Sequence, residues 1–258
     1  MKHRFHYFRY LTIAAVLLSL LSASVNAAHE KVVVGSSRPL GNGTIRSWAK
    51  VSHGKLLAVG VSFSEDALRG LPTVLPAGEE GIEYTLSLPK EAAGSVFKQI
   101  GINWNPHGHA PSKIYDVGHF DFHFYMIPEN ERNTITAAGE GLKKAYIPLP
   151  DDLTPSGYIL APDSAMPRMG AHWADPNSHE FHGHGFTKTF LFGSYDGKLL
   201  FFEPMITKAY LETKPNVTEA IKLPARFVGS NDYPTRYSVT YDAGTKEYTV
   251  ALEGISRS

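Results

Sequence analysis

From His119 to Tyr125 the chain alternates strictly: His119-Phe120-Asp121-Phe122-His123-Phe124-Tyr125. In a strand successive side chains point to opposite faces. His119, Asp121, His123 and Tyr125 then share one face, and Phe120, Phe122, Phe124 and Met126 share the other. The phenylalanine face belongs in a core. The other face cannot enter apolar surroundings unpaired, because a buried polar group without a partner is costly. It must meet solvent, a polar cavity or a metal ion. This stretch constrains the fold to β-sheet and marks the most chemically loaded part of the chain.

The rest of the sequence supports sheet. Gly43 to Val51 and Leu56 to Ser64 read as a hairpin around Ser52-His53-Gly54-Lys55. Ser64 reads as the N-cap of a short helix. Ile82 to Leu88, Phe97 to Trp104 and Tyr115 to Ile127 read as strands. Phe186 to Phe192 and Lys198 to Met205 form the clearest hairpin, around Asp196-Gly197. Tyr237 to Tyr241 and Tyr248 to Leu252 form the last. Glu129 to Ala138 is the expected short helix. Between 144 and 170 stand Pro148, Pro150, Pro155, Pro162 and Pro167. So many prolines exclude helix and central strand and point to an ordered crossing, or a loop over a site. Strands joined by tight turns predict a mainly β, antiparallel domain, closed as a barrel or a sandwich.

Residues 1–27 are expected to be a secretory leader. Lys2, Arg4 and Arg9 precede an apolar run from Leu11 to Ala23, and Val25-Asn26-Ala27 offers a small-residue cleavage site. Cleavage is placed after Ala27, with Ala28 as the alternative. Removing three basic residues and no acid takes the formal charge from zero to minus three. The remainder, 28–258, is expected to be a single β-rich domain, periplasmic or secreted, with no membrane attachment after cleavage. No basic patch is present to bind nucleic acid. A small-molecule substrate or ligand is the expected partner, and homo-oligomerisation is left open. The absence of cysteine excludes thiol catalysis, thiolate metal sites and thioether haem attachment.

The chain has twelve histidines. His119, His123, His172 and Glu203 are the predicted ligands of a divalent ion, with zinc, iron or manganese foremost. Glu203 qualifies because a lone carboxylate in the apolar run Leu199 to Met205 needs a partner. Residues i and i+4 of a strand lie about 13 Å apart. His119 and His123 therefore share one ion only if the chain bends, and Gly118 offers a place for a bulge. Without the bend Asp121 is the nearer partner. Asp121 is otherwise assigned to orienting a ligand or to general-base catalysis, and Tyr125 to hydrogen-bonding a substrate oxygen. Asn105-Pro106-His107-Gly108-His109 reads as a loop at the mouth of the strand, its histidines in turn chemistry rather than ligation. His179, His182 and His184 read as a surface loop that binds metal only adventitiously. There is no His-Glu-x-x-His helix and no Gly-x-Ser-x-Gly elbow.

Four motifs occur in order: Trp104 to His109, His119 to Tyr125, Met169-Gly170-Ala171-His172-Trp173, and Gly193 to Gly197 with Phe202 to Thr207. Together they resemble a hydrolase-labelled family of unknown function, typified by a Thermus protein under sigma-E/anti-sigma-E control. The resemblance spans roughly residues 95 to 212 and extends to the whole chain after the leader. It implies a β-rich domain and a hydrolase-like enzyme of unspecified substrate. The competing reading is an envelope protein that binds a metal or small ligand without turnover. The cluster His179 to His184 is not among the family's motifs.

Overall fold

A computed structural model describes residues 30–79, 81–227 and 232–255. The expected leader lies outside them. The described chain forms thirteen strands in two antiparallel sheets.

The first sheet holds β1 (Glu30–Leu40), β2 (Gly43–Ser52), β3 (Lys55–Ser64), β11 (Asn216–Ala220), β12 (Arg236–Asp242) and β13 (Glu247–Glu253), in the order β1-β2-β3-β13-β12-β11. The second holds β4 (Ile82–Ser87), β5 (Gln99–Asn105), β6 (His119–Tyr125), β7 (Ile159–Leu160), β8 (Ala171–Ala174), β9 (Lys188–Tyr195) and β10 (Lys198–Thr207), in the order β4-β5-β6-β10-β9-β8-β7. Both sheets keep free edges, so the fold is a sandwich; the barrel alternative is corrected. Among the described residues no helix is long and apolar enough to cross a membrane.

The alternation in β6 works as read. Phe120, Phe122 and Phe124 enter the core between the sheets, where Phe63 of β3 lies 6.1 Å from Phe122 and Phe190 of β9 lies 4.9 Å from Tyr237 of β12. Each such buried side chain contributes about 1.5–3 kcal/mol. The opposite face of β6 does not reach solvent either: all seven residues of the strand are buried. Its cover comes from the 106–118 loop, the proline-rich crossing and the 178–187 loop. Two satellite apolar clusters result on this outer face. Tyr115, Phe186, Leu191 and Met205 gather at the His119 end. Tyr125, Ile135, Leu200 and Phe201 gather at the other.

The three predicted hairpins are present. His53 and Asp196 both adopt positive φ, as two-residue turns of the primed type require. Other expectations need correction. Ser64 precedes a 3₁₀ turn at Glu65–Leu68 but makes no side-chain cap; its hydroxyl accepts from the Thr44 amide. The strand predicted from Tyr115 begins at His119, because Ile114 and Tyr115 turn back onto Pro111. The helix at Glu129 stops at Arg132. β-Branched Thr134, Ile135 and Thr136 disfavour its continuation, and Ile135 is buried in the outer-face cluster. Strands β1, β7, β8 and β11 escape sequence reading, β7 being a two-residue edge strand inside the proline-rich crossing. β1 and β11 are sheet edges, β11 alternates only between half-buried and exposed, and β8 has four residues.

Candidate metal centre

The outer face of the second sheet is built by register. β6 pairs without interruption with β5, from Asn105 opposite His119 to Gln99 opposite Tyr125. On its other side Phe201 of β10 pairs with Tyr125 and Met205 with Asp121, at constant offset. The strand is therefore regular, and no bulge forms at Gly118. His119 and His123 remain too far apart for one ion.

The ligand-type residues fall into two clusters. His123 joins His172 and Glu203; His119 joins His109 and Asp121. Within each cluster the candidate ligand atoms lie within 4.8 Å of one another. Three of the four predicted ligands thus converge, and His119 stands in the second cluster. Asp121 stands there as a ligand-type atom. His109, assigned to the loop, is the residue that sequence reading missed. The signal was Gly108, which takes φ +72°; a Cβ there would meet the Tyr115 carbonyl at 1.9 Å. That backbone conformation folds the loop back so that the His109 amide bonds Tyr115 O and its ring reaches β6. His107 bonds the Thr73 carbonyl and stays outside both clusters.

The ring orientations are informative. His119 Nδ1 lies 2.7 Å from Val117 O, His109 Nδ1 2.7 Å from Ala110 O, and His172 Nδ1 2.9 Å from Ser164 O. A carbonyl only accepts, so each Nδ1 donates. Nε2 of each ring then points into its cluster, the arrangement that backbone carbonyls impose on metal-binding histidines. His123 is held differently. Its ring stacks on Tyr125 at 5.5 Å and 13°, and the Arg132 guanidinium covers that tyrosine at 4.1 Å. Phe201 closes edge-on against His123 at 4.8 Å and His172 at 5.5 Å. The Phe201 ring lies across Gly193 of β9, where a Cβ would approach it to 2.0 Å.

Inside the clusters polar atoms approach without hydrogen bonding. His119 Nε2 is 3.1 Å from Asp121 Oδ1, and neither atom has a hydrogen-bond partner. His123 Nε2 is 3.2 Å from Glu203 Oε1 and also makes no hydrogen bond. Glu203 Oε2, 3.6 Å from His172 Nε2, is unpartnered as well. Such orphaned buried atoms are rare in folded proteins. A cation between nitrogen and oxygen would satisfy them together. Asn105 Nδ2 donates to Asp121 Oδ2 at 2.7 Å and fixes the carboxylate. Burial opposes the Asp121 charge, but His119 and His109 outweigh it and hold its pKa well below the ordinary carboxylate range. Burial likewise opposes the charge on His109, and Asp121 reverses it, pushing His109 up to about 9. An incoming ion would displace that proton.

Tyr125 is fully buried and its hydroxyl has no partner; burial pushes its pKa up. Its ring orients His123, and its hydroxyl is turned away from solvent. His179 and His184 pack edge-on at 5.5 Å in the exposed 178–187 loop, apart from both clusters.

Residues 51–104 match the family described as TTHB210-like: hypothetical protein TTHB210. The resemblance drawn from the motifs is thereby supported, on a segment that overlaps them only at its end. The TTHB210-like segment runs from Val51 at the end of β2 to Trp104 of β5 and stops before Asn105, so all six cluster residues lie beyond it. No curated protein and no solved structure matches the chain.

Proposed function

We propose that the protein is an exported, metal-dependent, hydrolase-like enzyme that holds divalent ions of the zinc, iron or manganese kind in the two clusters. One observation carries this reading: His119 Nε2 and Asp121 Oδ1 stand 3.1 Å apart and His123 Nε2 and Glu203 Oε1 3.2 Å apart, all in buried residues, while His119 Nε2, Asp121 Oδ1 and both ring nitrogens of His123 make no hydrogen bond. Each cluster supplies two histidines and one carboxylate. That set binds such ions and leaves a coordination position free, as catalytic sites require. A bound ion would supply Lewis-acid activation of water. The chain itself would orient the ligands through Val117, Ala110, Ser164 and Asn105, and keep water out with Phe201 and Phe186. His109 and His172 are the half-buried members, and substrate would approach on their side.

A second reading is a non-catalytic metal-binding protein of the cell envelope. Burial favours it, since His119, His123, Asp121 and Glu203 are all closed off from solvent.

Elemental analysis of the untagged protein tests both. Bound divalent metal, reduced in His123→Ala and in Glu203→Ala, is expected. Protein that stays metal-free after incubation with zinc, iron(II) and manganese(II) would overturn both readings. Metal with no hydrolysis of ester, amide or phosphoester probes would leave the second. Export predicts that N-terminal sequencing of the exported protein begins at Ala28; an intact Met1 would refute the leader.

A further inference from the structure

A groove of about 320 Å³ opens where the 178–187 loop and β9 meet the edge strand β11 of the other sheet. That volume lies within the range of small-molecule pockets, roughly 300–1,000 Å³. Its walls carry Asp175, Glu180, Glu219, Lys188 and Lys222, beside the rings of Tyr158 and Tyr237. Lys222 pairs with Asp175, and Lys188 pairs with Glu219. His179 also lines the groove, and its ring packs on His184. Glu180 is the acidic wall residue left without a basic partner among the described residues.

Glu180 is 5% exposed. Its one hydrogen bond comes from the neutral Tyr115 hydroxyl at 3.3 Å. Among the described residues no lysine, arginine or histidine pairs with it, although buried carboxylates are normally paired. It also belongs to neither metal cluster, and among the described residues no three-ligand group forms around it. A lone carboxylate suits an ammonium or guanidinium group better than a metal ion. Tyr158 and Tyr237 add aromatic surface to the groove, and Lys188 Nζ already lies 6.0 Å over the Tyr237 ring. Tyr115 separates the groove from His109 and His119, its ring 5.9 and 6.4 Å from theirs.

We infer that this groove binds a small organic cation, an amine or guanidine, with Glu180 as its counter-ion. The inference does not depend on metal binding. Calorimetric titration of the full protein with putrescine and agmatine tests it, with 1,4-butanediol as the uncharged isostere. Saturable binding of the amines and none of the diol is expected. Glu180→Gln keeps an acceptor for Tyr115 and removes the charge; it should weaken amine binding at least tenfold. Ala220→Trp, at an exposed groove position on β11, should block binding without touching Glu180, and carries the test should the first variant not fold. The proposal is overturned if neither amine binds, if the diol binds equally, or if a folded Glu180→Gln protein binds as the wild type does.

Discussion

His123 Nε2 and Glu203 Oε1 face each other at 3.2 Å across the β6–β10 pair, both buried, with the imidazole nitrogen making no hydrogen bond. A buried imidazole nitrogen and carboxylate that make no hydrogen bond lose their hydration without replacing it. The contact becomes favourable when a cation lies between them.

The division into two clusters predicts separable losses of metal. His172→Ala should remove the ion of the His123 cluster and spare the other; Asp121→Ala should do the reverse. The double variant should bind neither. Metal per chain, measured by elemental analysis, should fall additively. Complete loss in either single variant would point to one shared centre.

Metal should also stabilise the fold. An ion that binds only the native state adds about 2.7 kcal/mol at a hundredfold excess over its dissociation constant. Thermal melts should rise on adding the preferred ion and fall back with a chelator. The rise should shrink in Glu203→Gln.

Gly193→Ala should destabilise the protein by about 1–3 kcal/mol, the range for overpacking. Its new Cβ meets the Phe201 ring at 2.0 Å, and Phe201 is the ring that closes on His123 and His172. Urea denaturation measures the stability. Metal affinity of the folded variant should fall with it.

Arg132 is fully buried, covers Tyr125 and pairs with Glu83. Arg132→Met should cost about 3–5 kcal/mol, because Glu83 keeps only the more exposed Arg168. Near-neutral stability in urea melts would show that packing, rather than charge, holds this corner.

Glu83 gives the pH dependence its sign. Burial raises its pKa, but Arg132 and Arg168 outweigh burial and the folded-state value is lowered. A lowered carboxylate contributes stability that is fully present above its unfolded pKa of about 4.3 and is lost as pH falls through the folded value. Acid titration of stability should therefore steepen below about pH 4.3, and less so in Glu83→Gln.

Local sequence sets the sheet-forming segments and the two-faced character of β6. Period-two alternation is a local property, and turns such as Asp196-Gly197 carry their own backbone preference. It also determined most of the candidate ligands, since a carboxylate within an apolar strand and histidines on one strand face violate burial rules that any fold must answer. Tertiary structure decided how they group. Strand spacing kept His119 and His123 apart, and only the pairing of β6 with β10, and of β8 with β9, brought Glu203 and His172 to His123. His109 became a cluster member because the Gly108 turn folds its loop over β6, a long-range packing event that spacing along the chain does not encode. The opposite face of β6 is buried for the same reason: its cover is supplied by segments distant in sequence.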